Sequence, residues 1–279
     1  MNKYLDTTSE YNAGLDVVTF TLVRCQDCGF VFTNPRPIPK DLQLYYPQDC
    51  PHFETSTSTL FEKLVFRQLG GAKISEPAQK NGQKVLDVGF GPADFLIEKY
   101  NAGYECYGVD TSQYALDAAY KKNPELKLSC GSLEEVAYPD NHFDLVNLSH
   151  VVEHMYDPVG TLKEVYRITK KSGVVQIFLP NLAGLYYFVA GKSGEYFVPQ
   201  HLNFFTPKTM QKLMWQAGFV NSLVKTVFGN NLSYFLLHNL GIQKSFYKKT
   251  LFNPLFGLFV LPVEVVFDKG DVISVRASK

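Results

Sequence analysis

The chain has 279 residues, enough for one large domain with an appendage. Its 27 basic side chains balance 27 acidic ones and 46% of its residues are apolar, which excludes extended disorder and leaves no basic footprint for nucleic acid. Five sparse cysteines (Cys25, Cys28, Cys50, Cys106 and Cys130) and a start without a basic-then-apolar leader point to a reducing, cytoplasmic setting.

Along the chain, the β-rich runs 17–24 and 30–33 flank Cys25-Gln-Asp-Cys28-Gly29, which reads as two short strands around a thiol knuckle. The proline-rich run from Asn34 to Pro39 ends that unit, because proline cannot continue a ladder. A helix is expected over about 58–69, followed by a polar linker at 70–83. Residues 1–83 are therefore read as an N-terminal appendage and 84–279 as the main domain.

From Lys84 the pattern alternates between strand and helix. Strands are expected at 85–89, 104–110, 126–130, 143–149 and 174–180. Helices are expected at 92–101 and 112–121, a loop after the third strand, and another helix capped by Asp157 with Pro158 in its first turn. Strands separated by crossover helices imply an α/β, doubly wound parallel sheet with its ligand beyond the carboxyl ends of the strands. A helix capped by Thr206 and ended by Gly218, then strands at 219–228 and 271–277, complete the domain, with an aromatic-rich insertion at about 229–268. Within it, Leu251 to Phe267 is the most apolar stretch. Two prolines, Asn253 and Glu264 make it unfit to span a membrane, which takes about 20 apolar residues; buried packing is preferred over a peripheral membrane contact.

The first strand of this series leads into Asp87-Val88-Gly89-Phe90-Gly91-Pro92-Ala93-Asp94. Glycines here let a ligand approach the backbone, and the following helix N-terminus offers free N–H groups. Asp110 ends the second strand, where its carboxylate can accept hydrogen bonds from both hydroxyls of an adenosine ribose. Asp94, in place of a third glycine, disfavours a diphosphate, whereas a cofactor carrying an ammonium and a sulfonium tolerates both Asp87 and Asp94.

These segments resemble class I S-adenosylmethionine-dependent methyltransferases. VLDVGFGPADF is similar to the first family motif, GVDTS to the ribose-binding acidic motif, and GSLEEVAYPDNHFDLVNLSHVVEHMYDP to the run through the fourth strand. PNLAGLYYF and HLNFFTPKTMQKLMWQAGF resemble the small-molecule and polysaccharide-associated branch, so the likeness covers about 84–228. It implies a Rossmann-like seven-stranded sheet and S-adenosylmethionine as cofactor. It also implies that Asp87, Gly89, Phe90 and Gly91 line methionine and ribose, that Asp110 and Thr111 hold the ribose, and that Ser132 and Leu133 hold the adenine. Ala93 and Ser132 depart from the family pattern, where a third glycine and an aspartate are frequent. The Cys25/Cys28 knuckle resembles half of a zinc ribbon. A closed zinc site needs four ligands, and a vestigial fold without zinc is preferred even with Cys50 and His52 available.

After the fourth strand comes His150-Val-Val-Glu153-His154, in which 150, 153 and 154 would share one face if the segment were helical. The pattern matches inverted zinc peptidases, a reading its place in an adenosine-binding sheet disfavours. It is also similar to the Ser-Glu-x-x-Glu-His segment of ubiquinone-biosynthesis O-methyltransferases, whose two glutamates and histidine hold magnesium; His150 replaces the first glutamate and suits zinc or iron better. The preferred reading is metal-free: His150 or His154 is the general base, Glu153 orients it, and an acceptor hydroxyl loses its proton. Tyr196, His201 and Asn203, with Tyr186 and Tyr187, are the expected acceptor wall for a small molecule, sugar or carrier-linked intermediate. The alternatives are an idle adenosine-binding scaffold and an NAD-linked oxidoreductase.

Overall fold

The computed structural model describes residues 2–9, 18–38, 82–191, 196–227, 235–236 and 269–279. The expected helix at 58–69, most of the linker and of the insertion at 229–268, and Cys50 and His52 lie outside them.

Two sheets organise the described residues. The larger has seven strands: β4 (Lys84–Val88), β5 (Glu105–Asp110), β6 (Lys127–Cys130), β7 (Phe143–Ser149), β8 (Thr169–Pro180), β10 (Asn221–Val227) and β11 (Val272–Ser278), in the order β10-β11-β8-β7-β4-β5-β6. The pairs from β8 through β6 are parallel, while β11 runs antiparallel to both β8 and β10. The central strands read as continuous apolar runs because helices cover both faces. On one face Leu86, Val146, Leu148 and Ile177 pack with α4 (Pro158–Ile168) and α6 (Pro207–Gln216). On the other, Val85 and Leu145 pack with Leu96 of α1 (Asp94–Asn101) and Ala115 and Ala119 of α2 (Gln113–Lys122). Among the described residues, no helix is long and apolar enough to cross a membrane.

The chain leaves β4 toward β5 on one side and has β7 on the other, so the strand order reverses there and opens a crevice at the carboxyl ends. One buried polar row crosses this centre. Asp87, Asn147 and Gln176 are register neighbours on β4, β7 and β8. Asn147 Nδ2 donates to Asp87 Oδ1 at 2.6 Å and Gln176 Nε2 donates to Asn147 Oδ1 at 2.7 Å.

The second sheet is antiparallel, in the order β1 (Asn2–Ser9), β2 (Val18–Arg24), β3 (Val31–Thr33) and β9 (Asn203–Phe204). The β2–β3 hairpin turns at the knuckle, where Cys25 N–H donates to Phe30 O and Gly29 N–H to Cys25 O, and both thiols are free. Pairing of Val31 with Phe204 and of Phe32 with Asn203 joins the N-terminal hairpin to the loop after α5 (Leu185–Ala190). The shared core there includes Phe20, Leu22, Tyr186, Tyr187, Phe197 and Phe204.

Two local expectations are corrected. The loop expected after β6 contains a short helix, α3 (Leu133–Val136), started by a reciprocal capping box between Ser132 and Glu135. The helical face considered for His150, Glu153 and His154 gives way to a three-residue 3-10 turn, Val152–His154, because His150 has a φ of 55° and Met155 returns to extended backbone. Strand β8 also begins earlier than its apolar stretch, at Thr169 directly after α4.

The polar row yields a stability prediction. Asn147→Ala removes the donor to Asp87 and the acceptor of Gln176, leaving two buried groups unsatisfied. Urea unfolding at neutral pH should show a loss of about 2–4 kcal/mol.

Candidate active site

The cofactor turn is built from left-handed backbone. Gly89, Gly91 and Ala93 have φ of 67°, 47° and 59°, and Ala93 caps α1 without a side-chain hydrogen bond. Asp110 holds the turn: its Oδ2 accepts from Gly91 N–H at 3.0 Å and its Oδ1 from Ser112 N–H at 2.9 Å. Each carboxylate oxygen retains acceptor capacity toward the crevice. Burial pushes the Asp110 carboxyl up, opposed in part by those backbone donors. A Cβ on Gly91 would meet nothing within 4 Å, so the backbone borders open space. Asp87 is 4% exposed; burial pushes its carboxyl up to about 7, against the Asn147 hydrogen bond. Such a carboxylate gains from a cationic neighbour. A bare glycine edge, a paired-oxygen acid at the end of β5 and a buried acid one strand away together fit an adenosine carrying a positive tail.

The other expected cofactor residues divide by burial. Phe90 is 4% exposed and packs among Val85, Leu96 and Tyr104 beneath the turn, and Leu133 is 3% exposed in the opposite core; both are packing residues in this arrangement. Thr111 is exposed at the end of β5. Ser132 serves as the N-cap of α3, with its backbone N–H donating to Glu135 Oε2 at 2.7 Å. Asp94 sits in the first turn of α1, half-exposed and 3.4 Å from Lys122 Nζ.

The segment leaving β7 lies against this turn. A Cβ on Gly89 would meet Val151 Cγ2 at 2.6 Å, so a side chain there would displace the residues that carry the histidines. His150 is half-exposed, and its Nδ1 is 3.3 Å from Glu153 Oε1. Glu153 is 2% exposed, and neither of its oxygens has a well-formed hydrogen bond. Burial would raise its carboxyl, but His150 and the nearby His154 outweigh that and hold it at about 2.

His201, 47 positions beyond His154 in sequence, arrives from the loop before β9. The two rings meet edge to face at 4.7 Å between centroids. His154 Nδ1 lies 2.9 Å from Gln200 O and His201 Nδ1 2.7 Å from Tyr196 O. A carbonyl can only accept, so each Nδ1 carries a proton. Burial pushes His201 down to about 3, keeping it neutral. One ligand atom each from Glu153, His154 and His201 lies within 4.8 Å of the others, making these the described residues that could hold a metal ion.

The acceptor wall differs from its expected form. Asn203 donates to Met155 O at 2.6 Å and accepts from Arg36 Nη2 at 3.0 Å, so its side chain clamps the 3-10 turn instead of facing a substrate. Tyr186 and Tyr187 are buried in the aromatic core, while Tyr196 is partly buried and stacks on His201 at 6.0 Å. Thr33 and Arg36 escaped sequence reasoning. Thr33 Oγ1 donates to His201 O at 3.0 Å and Arg36 Nη1 to Tyr156 O at 2.6 Å, tying the N-terminal hairpin to both halves of the site. Nothing in the local pattern of either residue signals such a contact. Asn147 and Gln176 did leave a trace, as single amides inside otherwise apolar strands.

The sheet order and the glycine turn beside Asp87 and Asp110 fit a protein that binds an adenosine cofactor, and comparison with known proteins agrees on the family. The family described as "Methyltransferase domain" matches residues 86–177. A demethylmenaquinone methyltransferase of Anoxybacillus flavithermus is 30% identical over 179 residues, covering 52% of this chain and 73% of that protein. An uncharacterized methyltransferase of Schizosaccharomyces pombe is 38% identical over 109 residues, covering 34% of this chain and 39% of that protein, so the chain spans well under half of that relative's length. A SAM-dependent methyltransferase structure from Archaeoglobus fulgidus shares the fold, with a TM-score of 0.51, 19% identity and coverage of 72% of this chain and 87% of that one. The chain belongs to the class I S-adenosylmethionine-dependent methyltransferases, and S-adenosylmethionine is its cofactor.

If Asp110 holds both ribose hydroxyls as the family resemblance implies, Asp110→Ala should weaken S-adenosylhomocysteine binding by about 100-fold or more. Calorimetry, with circular dichroism to confirm the fold, checks this; unchanged affinity would remove Asp110 from the site.

A second prediction concerns pH. In the cofactor-free protein Asp87 keeps its proton up to about 7, whereas the unfolded chain loses it near 3.8. Between those values the folded state binds more protons, so this group's stabilisation, present at low pH, is lost as pH rises through the window. The change is on the order of 3–4 kcal/mol. Urea unfolding at pH ~5 and ~8 should show that slope in the parent chain and its absence in Asp87→Asn, which keeps the acceptor for Asn147.

Proposed function

We propose that this chain methylates a hydroxyl group of a small-molecule or sugar acceptor, free or carrier-linked, with His150 as general base. The observation that carries the reading is the contact of the His150–His154 segment with the cofactor turn through Val151 and Gly89. A half-exposed imidazole on the segment that packs against this turn supports the base assignment. Bound S-adenosylmethionine supplies an electrophilic methyl group on a sulfonium.

This chain's residues do the rest. With its Nδ1 proton facing the Glu153 carboxylate, His150 presents Nε2 to the acceptor hydroxyl and takes its proton there. Glu153 fixes the ring's orientation and stabilises the imidazolium that forms, the logic of an acid–histidine pair. Positioning supplies the larger share, about 7–11 kcal/mol, compared with about 10²–10⁴-fold from the base. Positioning falls to the rigid end of β7 and to the Asn203 clamp on the following turn.

Relatives named demethylmenaquinone methyltransferases favour a second reading for the acceptor, an aromatic quinone-type ring. The stacked Tyr196–His201 pair is compatible with a flat ring. The balanced formal charge argues against nucleic acid as acceptor. Four free thiols at Cys25, Cys28, Cys106 and Cys130 support the cytoplasm as the working compartment.

With methyl-labelled donor and a panel of quinols, catechols and sugars, the parent chain should place label in a base-stable methyl ether. His150→Gln should lower turnover by about 10²–10³-fold with S-adenosylhomocysteine affinity unchanged. Equal turnover in parent and variant would overturn the base assignment, and label on nitrogen or carbon would overturn the hydroxyl.

A further inference from the structure

We propose that Glu153, His154 and His201 form a binding site for one divalent transition-metal ion of the zinc or ferrous type. This goes beyond the methyl-transfer reading and does not depend on it. The ligand set is not the one that the His-x-x-Glu-His pattern offers. The pattern pairs His150 with His154, but the left-handed backbone at His150 separates it from a helical face, and the fold supplies His201 from the loop before β9 instead. The set also lacks the second carboxylate of the magnesium-type segment.

Three independent features point to a cation. First, one donor atom from each residue lies within 4.8 Å of the others. Ligand atoms around a tetrahedral zinc are about 3.3 Å apart, so small rotations of the side chains close the set. Second, the backbone carbonyls of Gln200 and Tyr196 hold both imidazoles by their Nδ1 atoms, the outer-shell arrangement of metal-binding histidines. Third, the Glu153 carboxylate is 2% exposed and both oxygens lack a well-formed hydrogen bond. Burying a carboxylate costs several kcal/mol unless a cation and good geometry compensate; beyond the His150 ring at 3.3 Å from Oε1, no lysine or arginine pairs with Glu153 among the described residues.

The scaffold is rigid where it matters. Leu202 N–H donates to Glu153 O at 2.9 Å and Thr33 Oγ1 to His201 O at 3.0 Å, so the turn and the loop are locked to each other and to β3. Two imidazoles and one carboxylate select zinc, iron or cobalt over magnesium, which prefers oxygen ligands and retains its waters. Three protein ligands leave coordination positions for an exogenous oxygen, so the ion would face the same space as His150.

The test uses the full chain carrying Cys25→Ser and Cys28→Ser, so that the knuckle thiols do not compete. After chelator treatment, Zn²⁺ and Co²⁺ are titrated separately by calorimetry and counted by elemental mass spectrometry. The expected result is one ion per chain, not displaced by excess Mg²⁺, with a visible cobalt spectrum lacking sulfur charge transfer. His201→Gln and His154→Gln should each weaken binding on the order of 100-fold while S-adenosylhomocysteine still binds. Should either variant misfold by circular dichroism, paramagnetic shifts of the His154 and His201 ring protons in the cobalt-loaded chain decide the same question. No saturable ion, or full binding in both variants, would overturn the proposal. Metal bound as expected while His150→Gln retains full methyl transfer would sink the base assignment alone.

Discussion

A carboxylate buried at the centre of a sheet is an expensive thing to keep, and the architecture around the crevice follows from how Asp87 is kept. It sits at the end of β4, where the strand order reverses, with Asn147 as donor on one side and Gln176 behind that amide. The row uses the parallel register of three strands, so a slip in any one of them breaks it. An amide partner is a weak substitute for a cation. Burial therefore pushes the acid up to about 7, and a positive neighbour would lower it again, which suits a cofactor that carries an ammonium and a sulfonium.

A second buried acid, Glu153, in the turn after β7, shows the opposite response. Burial acts on both in the same direction, but Glu153 is close to His150 and His154, and they hold it ionised. Two buried carboxyl groups are thereby shifted in opposite directions by what faces them.

The N-terminal hairpin has a place in this chemistry. Through β3 it pairs with β9, and through Thr33 and Arg36 it fastens the two stretches that carry His154 and His201. The thiol knuckle at its tip lies at the far end of the hairpin from these contacts, with both thiols free. The hairpin braces the stretches that carry His154 and His201, a role its composition does not announce.

The order of strands and helices and the cofactor turn were legible in the sequence because their signals are local. Apolar runs of strand length, Asp157-Pro158 and Thr206-Pro207 at helix starts, and glycines between Asp87 and Asp94 each act within a few residues. Asp110 was legible for the same reason, since a fixed crossover brings the end of β5 to the turn. The acceptor side was only half legible. His150, Glu153 and His154 stand together in the chain, but a left-handed residue gives them a tight turn in place of a helical face. His201 joins them across 47 positions, Asn203 changes from wall to clamp, and Arg36 reaches in from the hairpin. Side chains so far apart in sequence carry no periodicity that links them. Only the packing of β9 between β3 and the turn after β7 decides which of them meet.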